Sequence, residues 1–217
     1  MTSEMPPVVL LDANVLVKPV TRTLLMRCAP SGYVVVWSQA AEIEASRHMS
    51  GRQTPLATVR DMANLDLSAS GTGAERFKDT PLTDRQILAD AEAAGATFLI
   101  TEDVDDFAAE DLRMAGVTAV NPDLFLAERT DRGVYRKTLE VMAAGMKNPP
   151  LTTAGLHAAI ARQHPNLFGR HADLFEAIAQ STGHNPPRIQ FRGTTCLACL
   201  GSFADPSPVG FCANCAT

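Results

Sequence analysis

The chain has no apolar run long enough to cross a membrane. Its longest, residues 8–11 and 33–37, fall far short of the roughly 20 residues that a spanning helix needs. Residues 1–7 carry no basic stretch followed by an apolar one, so a signal peptide is not expected and the chain is read as cytoplasmic, with no membrane partner. There is no excess of positive charge. The net charge is −5 over 217 residues, which is not the footprint of a protein that wraps nucleic acid. No internal repeat and no low-complexity tract is present. Five cysteines in a reducing compartment argue for metal-bound or reduced thiols rather than a disulfide framework.

The charge is unevenly placed. Residues 1–128 hold 10 Lys/Arg against 19 Asp/Glu, whereas residues 129–192 hold 9 against 4. An acidic half joined to a basic half suits a carboxylate metal site beside a phosphate-binding surface, and equally a chance fluctuation.

Short apolar runs at residues 8–11, 33–37, 97–100 and 117–120 read as buried parallel strands. Helical patterns separate them: one from Ser38 to about Met49, one over 57–67, one after Thr83, whose spacing to Gln86 fits a capping box, and one over 106–114. Asn121-Pro122 opens a further helix. This alternation predicts an α/β fold with a parallel sheet over 1–128. Three helices are expected at 135–146, 152–164 and 171–180, broken by Pro149-Pro150 and Pro165. Residues 181–188 form a Pro/Gly/Asn-rich linker. The boundaries are 1–128 for the α/β domain, 129–187 for a basic helical extension and 188–217 for a small terminal unit.

Acidic residues cluster where ligands bind in such folds, beyond the carboxyl ends of the strands. Asp12 ends the first strand, Asp103 follows the third, Asp84 stands at a helix start, Glu44 lies on the helix after the second strand, and Asp106 lies behind Asp103. Asn14 can hydrogen-bond Asp12 or the backbone. Such carboxylates repel one another without a cation. Oxygen ligands suit Mg²⁺ or Mn²⁺, and such an ion lowers the pKa of a bound water and stabilises a departing phosphodiester oxygen. Taken singly, each acid could equally cap a turn or a helix.

Three segments together resemble the motifs of PIN-domain ribonucleases. They are Val8-Val9-Leu10-Leu11-Asp12-Ala13-Asn14, then Trp37-Ser38 through Glu44 to Arg47, then Asp84 through Thr101-Glu102-Asp103 to Phe107. The resemblance covers roughly residues 8–128. It implies a three-layer α/β sandwich on a parallel sheet of four to five strands and a Mg²⁺- or Mn²⁺-dependent endoribonuclease. Asp12, Glu44, Asp84 and Asp103 would be catalytic metal ligands, with Asp106 as a fifth carboxylate and Asn14 and Thr101 in support. Glu42 competes with Glu44 for the second position, because the two point to nearly opposite faces of one helix. Many bacterial relatives resemble the VapC toxins of toxin–antitoxin pairs, so RNA, an antitoxin protein and a homodimer are the partners implied.

Cys196, Cys199, Cys212 and Cys215 form two CxxC pairs separated by twelve residues. This spacing predicts a closed, structural Zn²⁺ site in a zinc-ribbon-like element too small to fold on a core alone. A redox pair or unmetallated surface thiols are the competing readings. Cys28 is read as a core residue. His157, His164 and His171 recur every seven residues, but Pro165 and Gly169 interrupt the helix between them. They are read as surface or packing histidines that, with Arg162, Arg170 and Arg188, contribute to an RNA-facing surface. Two other functions compete with the nuclease. A haloacid-dehalogenase-like phosphatase needs a second Asp where Asn14 stands and a catalytic lysine, for which Lys78 is a weak candidate. The other is a non-catalytic RNA- or protein-binding module.

Overall fold

Four short strands carry the apolar runs: β1 (Val8–Leu11), β2 (Val34–Val36), β3 (Phe98–Ile100) and β4 (Thr118–Val120). The computed structural model describes residues 5–178, 189–202 and 210–215. The strands pair in parallel in the order β2-β1-β3-β4, and β5 (Phe191–Arg192) joins β4 antiparallel. The protein is an α/β fold on a mostly parallel five-stranded sheet. The fifth strand reverses direction because the C-terminal segment supplies it, not a strand–helix–strand crossover. All residues of β3 and β4 are buried, as in a sheet covered on both faces.

The connections are helical. Helices α1 (Ala13–Leu16) and α2 (Pro19–Cys28) lead to β2, and α3 (Gln39–His48), α4 (Leu56–Ala63) and α5 (Arg85–Ala93) lead to β3. Helix α6 (Ala109–Ala115) leads to β4. Helices α7 (Pro122–Arg129), α8 (Arg132–Gly145), α9 (Thr153–Ile160) and α10 (Pro165–Arg170) follow. Right-handed crossovers send α2 to one face of the sheet and the α3–α6 group to the other, because the two runs travel in opposite directions along it. The contacts agree: α2 packs on α7 and α8, while α3 packs on α4 and α5, and α5 on α6. One continuous apolar core joins Leu10 and Phe98 of the sheet, Tyr135 and Leu156 of the later helices, and Phe191 and Leu197 beside the cysteines. Among the described residues, no helix is long and apolar enough to cross a membrane.

Local signals account for most boundaries. Ser38 caps α3 by accepting from Ala41 N at 3.2 Å, and Asn121 caps α7 by accepting from Asp123 N at 3.0 Å, as short polar side chains do at helix starts. Several expectations are corrected. Thr83 does not open α5: Asp84 stands at the N-cap, and the Thr83 hydroxyl donates to the Asp84 carboxylate at 3.1 Å. The helix expected over 57–67 stops at Ala63, where Asn64 turns left-handed. The one expected from residue 106 starts at Ala109, after a 3-10 turn at Val104–Asp106. Pro165 begins α10 rather than breaking a helix, because a first-turn proline forfeits no hydrogen bond. Instead of a helix from 171, a 3-10 turn forms at Leu174–Glu176, with Phe175 and Glu176 at positive φ. Residues 179–180 of that expected helix, and the linker 181–188, lie outside the described residues.

Candidate functional site

β1 and β3 are neighbours, yet the chain leaves them in opposite directions, toward β2 and toward β4. Such a reversal opens a crevice beyond the strands' carboxyl ends. Asp12 enters it directly after β1, its N–H still bonded to Ile100 O at 3.0 Å. Thr101, Glu102 and Asp103 enter it after β3.

Hydrogen bonds tie these two turns together. The Thr101 hydroxyl donates to Asp12 Oδ2 at 2.8 Å and accepts from Asn14 Nδ2 at 3.0 Å and from Asp103 N at 3.2 Å. One donor and two lone pairs are all that a hydroxyl has, so Thr101 is saturated and its proton is committed to Asp12. Asn14 also donates to Asp103 Oδ2 at 3.1 Å and accepts from Glu102 N at 3.3 Å. Of the two partners expected for Asn14, the backbone is the one it bonds, at Glu102 N; it reaches Asp12 only through Thr101, and it also bonds Asp103. An aspartate at position 14 could donate to neither partner and would set a like charge against Asp103. The other Asp12 oxygen accepts from Ala13 N at 2.7 Å and caps α1.

The remaining acids converge around this pair. Helix α3 packs on both α1 and α5, which brings Glu44 and Asp84 toward Asp12. Burial pushes the Asp12 carboxyl up to about 6, against the bonds from Thr101 and Ala13, and Glu44 and Asp84 add repulsion. Asp84 is likewise raised, first by burial and then, against its Thr83 bond, by Asp106, Glu44 and Asp103. All five acids named from the sequence therefore act on one region. Glu42 lies elsewhere: its carboxylate accepts from Trp37 Nε1 at 2.8 Å and pairs with Arg60 at 3.6 Å. The acids are spread rather than tightly clustered. Among the described residues, the four cysteines are the group of three or more Cys, His, Asp or Glu with ligand atoms all within 4.8 Å of one another.

Other buried acids serve the fold. Asp111 accepts from Asp79 N and Thr80 N at 3.0 and 2.7 Å, and Asp123 accepts from Asn166 N and Leu167 N at 3.0 and 2.9 Å. Asp123 thus caps α10 from another element.

The cysteines form a second centre. Cys199 and Cys212 sulfurs lie 3.6 Å apart and all four thiols are unbridged. With metal–sulfur bonds of about 2.3 Å, a tetrahedral site has sulfur–sulfur edges of about 3.8 Å. Four cysteines so placed are spaced to hold a metal such as zinc. Burial would raise the Cys196 thiol, but backbone N–H groups of Cys199, Cys212 and Ala198, with the Cys199 thiol, bring it down to about 6. Cys28 is fully buried in the core.

The histidines are packing residues. His157, His164 and His171 are all buried, which corrects their assignment to an RNA-facing surface. Tyr135 Oη lies 3.0 Å from His157 Nδ1, His157 Nε2 lies 3.1 Å from the His171 carbonyl, and Tyr135 stacks on the His171 ring. His164 Nε2 lies 2.9 Å from Thr21 Oγ1. Arg188 is outside the described residues. Two contacts were not anticipated from the sequence. Lys18 pairs with Glu102 beside the site, and Arg192 grips the loop after Asp103; neither belongs to a motif of local spacing.

The chain matches no protein-family model, no curated protein and no solved structure.

Proposed function

We propose that the protein is a PIN-type endoribonuclease that hydrolyses RNA with a divalent cation held by Asp12, Asp84, Asp103 and Glu44, with Asp106 in support. The observation that carries this reading is the network in which Thr101, saturated, and Asn14, with both amide N–H donors used, aim Asp12 and Asp103 into the crevice between β1 and β3. The donor set fits a hard cation: it is all oxygen, and burial, with added repulsion from Glu44 and Asp84, already lifts Asp12 to about 6. The wide spacing suits Mg²⁺ or Mn²⁺, which keep several waters and take few protein ligands directly. A cation bound there supplies Lewis acidity toward the phosphodiester and its attacking water. Thr101 holds one Asp12 oxygen and Ala13 N the other, so the carboxylate is oriented before substrate arrives. Asn14 does the same for Asp103. The two amide donors of Asn14, both in use, also favour this reading over a phosphatase, whose second aspartate would occupy that position. The four cysteines are read as a structural zinc site, since four thiolates leave no position open for substrate.

The test is cleavage of single-stranded RNA in Mn²⁺ or Mg²⁺ by wild type and Asp12→Asn. Cleavage by wild type alone, abolished by EDTA, is expected. Equal activity in the two proteins, or activity that survives EDTA, would sink the proposal; phosphate release from a small monoester would point to the phosphatase. The toxin role adds an antitoxin and a homodimer, checked by co-purification with the neighbouring gene's product and by light scattering.

A further inference from the structure

The segment that bears the cysteines also reaches the carboxylate site. From β5, the Arg192 guanidinium crosses to the loop after β3. Its Nη1 donates to Phe107 O at 2.6 Å and to Asp105 O at 3.3 Å, and its Nη2 lies 3.9 Å from the Asp105 carboxylate. That loop presents Asp103 and Asp106. Val104 and Phe107, each 1% exposed, anchor it from the core side. Arg192 holds it from the other side: the two N–H groups of Nη1 take the two carbonyls, while Nη2 of the same rigid guanidinium faces the Asp105 carboxylate.

Strand β5 does not hold its own register. It is two residues long, and so short a strand is not stable by itself. Its place is set by flanking bonds. Asn121 N donates to Gln190 O at 2.8 Å, and Thr195 N to Thr118 Oγ1 at 3.2 Å. Gly193 has φ +152°, and a Cβ there would lie 2.4 Å from Thr118 Oγ1, so the chain runs against β4 as only glycine permits. Next come the cysteine turns: Leu197 N bonds Gly210 O at 2.9 Å, Cys212 N bonds Cys196 Sγ at 3.4 Å, and Arg129 Nη1 holds the carbonyls of Leu197 and Ala198. Cys196, which follows Arg192 by four residues, is fully buried. Closure of the four cysteines therefore completes the set of ties that fix where Arg192 starts.

We propose that Arg192 is a positioning residue through which the metal held by Cys196, Cys199, Cys212 and Cys215 sets the geometry of the loop carrying Asp103 and Asp106. The structural half of this stands by itself; its effect on cation binding and catalysis rests on the nuclease reading above.

The test compares the full-length, zinc-loaded wild type with Arg192→Met and Arg192→Lys, and with wild type stripped of zinc by a chelator. Amide hydrogen exchange over residues 103–108 is read by mass spectrometry. Arg192→Met is expected to speed exchange in that loop by about tenfold or more while β1 and β3 peptides are unchanged. Arg192→Lys should be intermediate, since an ammonium replaces the charge without the fork. Zinc removal should reproduce the acceleration in wild type and add nothing in Arg192→Met. Mn²⁺ affinity, read by electron paramagnetic resonance, should fall about tenfold in Arg192→Met, as for other residues that orient metal ligands. RNA-cleavage kcat should drop with KM nearly unchanged. Unchanged loop exchange in Arg192→Met, or additive effects of zinc removal and Arg192→Met on that loop, would overturn the proposal. A wild type that binds no Mn²⁺ and cuts no RNA would refute the nuclease reading and the catalytic consequence, while the exchange comparison would still decide whether the brace exists.

Discussion

Replacing Asp12 with asparagine should abolish cleavage and yet stabilise the cation-free protein at high pH. The Asp12 carboxyl is raised from 3.8 to about 6, chiefly by burial. A group whose folded pKa exceeds its unfolded value favours the fold while protonated. That contribution is complete below about pH 4 and is lost as the pH rises through 6. The difference is worth about 3 kcal/mol, at ~1.4 kcal/mol per tenfold change in acidity. Asparagine never ionises, so the variant does not suffer the loss. It does lose part of the hydrogen bonding: its single oxygen can accept from Ala13 N or from Thr101, not both, at a cost of about 1 kcal/mol. The net expectation is a variant roughly 1–2 kcal/mol more stable than wild type at pH 8 in EDTA, and slightly less stable at pH 4. Urea unfolding of both proteins at a series of pH values, with chelator present, measures this. Taking the difference between the two at each pH cancels the titration of every group they share. Adding Mn²⁺ at pH 8 should stabilise wild type and leave the variant unmoved. Parallel pH profiles for the two proteins would refute the claim that burial and neighbouring acids strain the ionised Asp12.

Acid should weaken the fold through the histidine cluster. Burial, helped by Arg132, His157 and Arg170, depresses His171 from 6.5 to about 4. A depressed folded pKa means that this contribution is complete above pH 6.5 and is lost as the pH falls through 4, for about 3 kcal/mol. Urea unfolding of His171→Gln should lack that loss. Tyr135→Phe removes the bond to His157 Nδ1 and should cost about 1–2 kcal/mol in the same assay, since the nitrogen stays buried. Asn14→Asp deletes the donors to Thr101 and Asp103 and should lower both cleavage and Mn²⁺ affinity by at least about tenfold. Rescue by protonation at lower pH would identify charge as the cause. Elemental analysis should find one zinc per chain, absent in Cys199→Ser. Loss of the metal should lower Tm by on the order of 10 °C, since the ion binds only the folded form; a metal-free wild type with an intact C-terminal turn would refute the site.

Much of the site was legible in linear order because each part carries a local signal. A strand of apolar residues must end at the sheet rim, so an acid at its end, such as Asp12 or Asp103, has a known address. Helix periodicity was enough to separate Glu42 from Glu44 as alternatives. What sets Glu42 apart is not in the local pattern: Trp37 and Arg60 engage it from five and eighteen residues away. The helices after residue 150 were misread where the deciding partner is remote. α10 begins at Pro165 because Asp123 caps it from α7, forty-odd residues earlier. The histidines read as surface or packing residues in sequence; packing is decided by Tyr135, more than twenty residues before the first of them.

The sequence by itself determined the alternation of strands and helices, the acids at the strand ends and the spacing of the four cysteines. These rest on periodicity, caps and short-range ligand geometry, all of which act over a few residues. Tertiary structure alone decided that Thr101 spends its one proton on Asp12 and that Asn14 bridges Thr101 to Asp103. It alone decided that the cysteine segment enters the sheet as β5 and sends Arg192 to the acidic loop. Those contacts join groups about seventy to ninety residues apart, and the sheet order, not any local preference, brings them within reach.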